Sequence, residues 1–314
     1  MYPTDDDKLF DKDKSFWDNY LRGRPKPPAS LFRRIFDYHV VHGGSFDVVH
    51  DVGAGNGPFA PILASRFTHV ILSDVATSNM ELAEQRLGNT GTFKYRTARM
   101  DEIEDLAPSS VDMVFASNVM HFGADQQATM AAMAKQLKPG GTFACAVFGP
   151  ARFEDPNLQR LWEQISHQGG RELLQKSSCL QQTARVMART DGLYNVAPLD
   201  LRYFAPGALR IHLNMSKGGF TPLLPPEMTQ FDIEPNHTGP DDVQAFENET
   251  GWAFEMDASE VLEHMLSFPF VDPSSTVIDT LLRGVNTLAA QGNGTAKFRG
   301  WWPAKLILAT ANEQ

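Results

Sequence analysis

Strand-like runs that alternate with helical stretches, a glycine-rich turn after the first strand and an acidic residue closing the second predict a doubly wound, Rossmann-like α/β fold. Five such strands fall between residues 46 and 148. Two more near the end of the chain make a mostly parallel seven-stranded sheet. Residues 151–294 are then an α-rich cap inserted between strands five and six.

The elements follow in order. Residues 1–29 are polar and charged, with prolines at 25, 27 and 28, and form an irregular arm with a short helix around residues 16–20. Ser30 is placed to cap a helix over 31–41, which Gly43 and Gly44 end. Residues 1–45 are thus an arm and a helix, placed to act as a lid. The core domain spans 46–150. Its first strand, 46–51, leads through the glycine loop to a helix ending near residue 66. A buried strand at 69–74 precedes a helix over 78–87, and 93–98 is the third strand. Strand four, 111–117, is followed by an Ala/Met/Gln-rich helix over 124–138. Pro139-Gly140-Gly141 then turns into strand five, 142–148. Beyond 151 the alternation stops. Helical stretches are expected at 156–189 and 258–268, a strand at 199–204, and an irregular proline-rich segment at 221–226. The last segment, 295–314, holds two strands joined at Pro303 that complete the sheet. A ligand crevice is expected beyond the carboxyl ends of the parallel strands.

The composition, 42% hydrophobic and 21% charged over 314 residues, is that of an ordinary globular protein. No apolar run reaches the ~20 residues of a bilayer span, and the first residues lack the apolar stretch of a secretory signal. Cys145 and Cys179 make no disulfide framework, so a reduced, cytoplasmic protein is expected. The formal net charge is −10 and the basic residues are dispersed, which argues against nucleic acid and for a small-molecule partner. No membrane partner is expected, and a monomer and a homodimer are equally compatible with the sequence. His39 and His42 share a helix face but lack a third ligand, so no metal is expected. The acidic run at residues 5–7 is a solvated tail.

The strongest local signal is Asp51-Val52-Gly53-Ala54-Gly55-Asn56-Gly57, where a strand hands over to a helix. Glycines at 53 and 55 bring backbone against a ligand, and Gly57 lets the helix pack on the sheet. Asp74 closes the second strand, where a carboxylate can accept from both ribose hydroxyls of an adenosine cofactor. A dinucleotide fingerprint requires a small third residue where Pro58 stands, and a phosphate-binding loop requires a terminal Gly-Lys-Ser/Thr.

The Asp-x-Gly-x-Gly-x-Gly pattern resembles that of class I S-adenosylmethionine (SAM)-dependent methyltransferases. Lys138-Pro139-Gly140-Gly141 is similar to the turn these enzymes place before strand five. The resemblance covers residues 46–148 and implies SAM as cofactor, with S-adenosylhomocysteine as product. Asp51, Gly53, Ala54, Gly55, Gly57, Asp74 and Val75 are its expected contacts, with Met100 and Asp101 at adenine and Asn118 and Val119 at the methionine end. More loosely, Tyr20, Arg24, Pro25 and Pro28 before the first strand and His121-Phe122 after the fourth resemble the fungal trans-aconitate methyltransferase-like group. That group usually has His-Trp there and a second Tyr where Pro27 stands. These departures point to an acceptor larger or less polar than a tricarboxylate, such as a fungal secondary metabolite.

The resemblance makes His121 the expected catalytic residue, as a base or as the group that orients the acceptor; the alternative is a structural histidine. Tyr20 and Arg24 are expected to close over SAM, or merely to pack. Phe122, Trp252 and Phe268, with Phe254 and Met265, are expected to line the acceptor pocket, although such residues at helical spacing more often fill a core. Arg202 or Arg210 could pair with an acceptor carboxylate. The position after strand four reads Ser117-Asn118-Val119-Met120, not the Asn-Pro-Pro-aromatic of base and amide N-methylation. The expected reaction is therefore methyl transfer to a carboxylate or hydroxyl oxygen of a small molecule. The alternative is a fold relative that binds SAM and catalyses a cyclisation or pericyclic step.

Overall fold

The computed structural model describes residues 9–215, 218–231, 236–291 and 297–312; the acidic run at 5–7 and the domain boundary at 294 lie outside them. After the N-terminal helices α1 (Lys14–Gly23) and α2 (Ala29–Val41), strands and helices alternate: β1 (Val48–Val52), α3 (Ala60–Ala64), β2 (His69–Asp74), α4 (Thr77–Leu87), β3 (Phe93–Thr97), β4 (Val111–Ser117), α5 (Gln126–Gln136) and β5 (Leu137–Phe148). The five strands pair in parallel in the order β3-β2-β1-β4-β5. Every residue of β4 is buried, as expected of a central strand covered on both faces. The sequence order reverses between β1 and β4, so a ligand crevice belongs at their carboxyl ends.

The second half of the sheet differs from expectation. It has eight strands, completed by β11 (Ala304–Thr310), β7 (Leu209–Leu213) and β8 (Val243–Glu247) in the order β5-β11-β7-β8. Only β11 runs antiparallel to its neighbours. Residues 151–294 are therefore not purely an insertion, because β7 and β8 are integral to the main sheet. The expected C-terminal pair also separates. β10 (Phe298–Trp301) leaves to join a small antiparallel sheet with β6 (Arg152–Phe153) and β9 (Ala253–Met256).

The strand expected at 199–204 is instead a turn. The Asp200 carboxylate accepts from Arg202 N–H at 2.8 Å, and Tyr203 N–H donates to Asp200 O at 2.9 Å. Such local bonds compete with a sheet ladder. The strand forms ten residues later, at Leu209–Leu213, where Arg210 and His212 disguise it. Arg210 is buried because the Asp242 carboxylate and the carbonyls of Val196, Ala197 and His237 accept its protons.

The expected helix at 156–189 is two, α6 (Pro156–Lys176) and α7 (Leu180–Arg189). α8 (Ala258–Leu266) is followed by a helix not anticipated, α9 (Thr276–Gln291). Its buried stripe, Ile278, Leu282, Val285 and Ala289, packs with Trp162, Val261 and Met265 in a second core above the sheet edge. Ser30 does not cap α2. Pro28 occupies that position, and the Ser30 hydroxyl donates to Glu249. Gly43 does end α2, with φ +80° and its N–H on Val40 O at 3.0 Å.

Helix α1 is capped by Asp13 and anchored to α8. A Cβ at Gly23 would collide with the Glu263 carbonyl, and His264 Nδ1 donates to Gly23 O at 2.8 Å. The arm is thereby held across the carboxyl ends of the parallel strands. Among the described residues, no helix is long and apolar enough to cross a membrane.

Candidate functional site

A cavity of about 320 Å³ lies at the carboxyl ends of β1, β2, β4 and β5, and α1, α6, α7 and residues 268–270 wall its other sides. Its floor is the glycine loop, with Gly53, Gly55 and Gly57 at φ +65°, +54° and +74°. A side chain at Gly53 would collide with Val119, and one at Gly55 would come to 2.5 Å from Trp17. Gly57 lies outside the cavity. A Cβ there would come to 2.9 Å from Leu72 and Leu87, so this glycine seats the loop against sheet and helix.

Asp74 ties this floor together. Its Oδ2 accepts from Gly55 N–H at 2.9 Å, and its Oδ1 from Ala76 N–H and Asn79 Nδ2, each at 3.0 Å. Asn79 Oδ1 in turn accepts from Trp17 Nε1 at 2.9 Å, so the arm and the loop share one buried network. Asp51 contrasts with it. Only 1% exposed, its Oδ2 has no hydrogen-bond partner. Burial, reinforced by the Asp74 charge, pushes the Asp51 pKa well above the ordinary carboxylate value. Burial also raises that of Asp74, against the hydrogen bonds that lower it. Two buried carboxylates beside a cavity favour a ligand with positive charge or hydrogen-bond donors there.

Arg24 reaches the cavity from the end of α1. Its guanidinium carbon lies 3.7 Å from the Phe268 ring centroid and 4.9 Å from that of Tyr20. Nη2 contacts Ser267 O at 3.5 Å, while Nε is buried without a partner. Burial lowers its pKa, yet a guanidinium stays charged.

His121 follows β4, its ring 4.2 Å from that of Phe122. The fully buried Tyr194 hydroxyl accepts from His121 N–H at 3.1 Å and lies 3.0 Å from Nδ1. We assign the Tyr194 proton to Nδ1, the arrangement that gives the phenol O–H an acceptor, and the neutral ring then carries its proton on Nε2. Burial, with the charges of Arg189 and Arg24, pulls the ring pKa down to about 3, so the ring is neutral at physiological pH. Nε2 makes no hydrogen bond among the described residues, and the side chain lines the cavity. The group presented is an N–H donor.

A methyltransferase-domain family matches residues 50–145, the stretch that forms this floor. The chain is 54% identical to the methyltransferase AacuQ of Aspergillus aculeatus, covering 97% of this chain and 96% of that one. It is 53% identical to the methyltransferase tpcM of Aspergillus fumigatus, over 97% and 94% of the two chains. The chain belongs to the SAM-dependent methyltransferases. A solved type II methyltransferase structure from Anaeromyxobacter dehalogenans shares the fold, with TM-score 0.56 and 17% identity over 93% of this chain and 99% of that one.

SAM is thus the cofactor, and the methyltransferase's own atoms fit it. The orphaned Asp51 Oδ2 matches a group that only donates, such as the ammonium of the methionine end. Asp74 Oδ2 carries one hydrogen bond and has a lone pair left for a ribose hydroxyl.

Of the residues singled out in the sequence, Asp51, Gly53, Ala54, Gly55, Asp74, Val75, Met100, Asn118, Val119, Tyr20, Arg24, His121, Phe122 and Phe268 all line the cavity. Asn118 does so with φ +54°, its side-chain oxygen accepting from Phe148 N–H and so joining β4 to β5. Asp101 does not reach the cavity; it is exposed and paired with Arg99 at 3.4 Å. Trp252 is also excluded. It is fully buried in the main core, 5.4 Å from the Phe148 ring, because β9 and β10 draw its segment beneath the sheet edge. Met265 fills the second core and Phe254 packs against it. Arg202 is exposed on Asp200, and Arg210 is committed to its carbonyls. His39 is a structural residue, bonded to Thr142 and Ser45.

The sequence reading did not include Trp17, Asn79, Tyr194, Arg189, Ser166 or Thr221. Only Trp17 carried a signal, an aromatic three residues before Tyr20 on one helix face. Arg189 sits behind His121 and donates to the carbonyls of His121 and Gly123.

Proposed function

We propose that this methyltransferase esterifies a carboxylate of a small, largely apolar acceptor, forming a methyl ester. The observation that carries the reading is His121: neutral, with Nδ1 occupied by Tyr194 and N–H directed outward, it orients an oxygen and does not deprotonate one. A phenol, with a pKa near ~10, needs a base at neutral pH; a carboxylate, near ~4, arrives ionised.

When bound, SAM supplies an electrophilic methyl group on a sulfonium. Asp74 and the backbone of Gly53–Gly55 hold the nucleoside end, with Val75 and Met100 against the base, and Asp51, Asn118 and Val119 hold the methionine end. The α1 arm closes over that half as a lid, Trp17 lying on Gly55. Arg24, a half-buried cation whose Nε is buried and which has no carboxylate partner among the described residues, holds the acceptor anion together with His121 Nε2–H. Phe122 and Phe268 flank that anion, and the closed lid excludes water. The family's fungal members support a secondary-metabolite acceptor. The two free cysteines, one of them buried, suit a cytoplasmic enzyme.

Incubation with isotopically labelled SAM and a panel of aromatic acids and phenols tests this. Labelled esters that mild alkali cleaves are expected. Alkali-stable ethers from the phenols, with the acids untouched, would overturn it.

A further inference from the structure

We infer that Ser166 and Thr221 form a second polar subsite that reads a hydroxyl or carbonyl oxygen on the acceptor, remote from the reacting carboxylate. This rests on the acceptor half proposed above. Both residues line the cavity, at 1% and 3% exposure, and neither hydroxyl has a hydrogen-bond partner. A serine inside a helix ordinarily bonds the carbonyl one turn back; Ser166 on α6 does not. An unpaired buried hydroxyl is destabilising, so two on one wall call for a ligand group.

The fold brings them to the same wall. Gly170, one turn after Ser166 on the same face of α6, has no side chain, and a Cβ there would collide with the Leu223 carbonyl. Residues 220–223 therefore lie directly on that face, with Thr221 among them. The other hydroxyls of this half are satisfied: Thr183 Oγ1 and Ser177 Oγ bond each other at 2.8 Å, and Thr190 Oγ1 donates to Met187 O at 2.7 Å. The orphaned pair is thus selective within the wall.

Around the pair the lining is apolar, with Leu173, Val186, Met187, Phe220, Leu223 and Phe270. An apolar chamber with two uncommitted hydroxyls, each able to donate or accept, fits a flat aromatic acid carrying oxygen substituents. An acid without those oxygens leaves the hydroxyls unpaired and is rejected for that reason.

The test is calorimetric binding of hydroxynaphthoic acids and unsubstituted naphthoic acid to the S-adenosylhomocysteine complex. Wild type is expected to prefer the best hydroxylated acid by about tenfold. Thr221→Val, which keeps side-chain volume, and Ser166→Ala are each expected to cut that preference several-fold, and the double variant to abolish it. S-adenosylhomocysteine affinity should be unchanged in all three, which also reports correct folding. Equal binding of both acids to wild type, failure of every hydroxylated acid to bind, or a preference intact in the double variant overturns the subsite. Acids that bind with the expected preference but yield no ester from SAM would sink the proposed reaction and leave the subsite standing.

Discussion

The two ends of the cavity are built differently. At the cofactor end, Asp51, Gly53, Gly55 and Asp74 come from two adjacent strands and the loop between them. Asp74 alone accepts three hydrogen bonds, so the floor is rigid before any ligand arrives. At the acceptor end, His121, Arg24, Ser166, Thr221 and Phe268 come from five separate segments, and three of them carry buried atoms without partners. The difference teaches that the shared chemistry is held by local, satisfied geometry. In the proposed reading, selectivity is held by distant residues whose buried polar atoms lack partners within the fold.

The same contrast separates two buried histidines. His264 uses both ring nitrogens structurally, donating to Gly23 O at 2.8 Å and accepting from Ala151 N–H at 3.2 Å. His121 uses one and keeps the other for the cavity.

The largest expected effect lies outside both ends. Trp252→Ala should destabilise the fold by ~3–5 kcal/mol, as a core truncation does, while acceptor KM in the surviving folded protein stays unchanged. A raised KM at preserved stability would return Trp252 to the pocket. Next, Asp74→Ala strands Gly55 and Ala76 N–H groups and should weaken S-adenosylhomocysteine binding by ~1–3 kcal/mol in a calorimetric titration. Unchanged affinity would break the claim that this end is held by Asp74.

His121→Ala should lower kcat about tenfold or more with cofactor affinity intact, if its N–H orients the acceptor. Tyr194→Phe keeps the ring's bulk but frees Nδ1, and should lower kcat several-fold while introducing pH dependence as the tautomer lock is lost. Normal turnover and an unaltered profile in Tyr194→Phe would remove Tyr194 from the site.

The smallest effect is an expected flatness. With a folded pKa of about 3 and a free value of 6.5, His121 carries no proton between those limits in the folded enzyme. Hence kcat should show no limb near pH 6.5. The unfolded chain does take up that proton in this window, so the His121 contribution to stability is present above pH 6.5 and lost as pH falls towards 3. His264, also depressed to about 3, acts in the same direction. A kcat limb near 6.5 would restore His121 as a base.

Much of the first half was legible because its signals are local. The β-branched runs of β1, β2 and β4, the glycine spacing and the acidic end of β2 are each fixed by neighbours a few residues away. The later strands were not. β7 carries Arg210 and His212 on buried positions; Asp242 and three distant carbonyls make the burial of Arg210 tolerable, and His212 stacks on Phe246 at 4.2 Å. α9 did carry a helical stripe in its sequence, yet which core it served depended on α6 and α8.

By itself, then, the sequence determined the parallel α/β core, the loop conformation that only glycine tolerates, and the carboxylate beside it. These follow from backbone sterics and periodicity within short stretches of chain. Tertiary structure alone decided that Asp101 and Trp252 stand apart from the cavity, that Tyr194 meets Nδ1 of His121, and that Ser166 and Thr221 line the same cavity. Those outcomes depend on which distant groups meet in low dielectric, where a missing partner is costly, and no local pattern encodes such meetings.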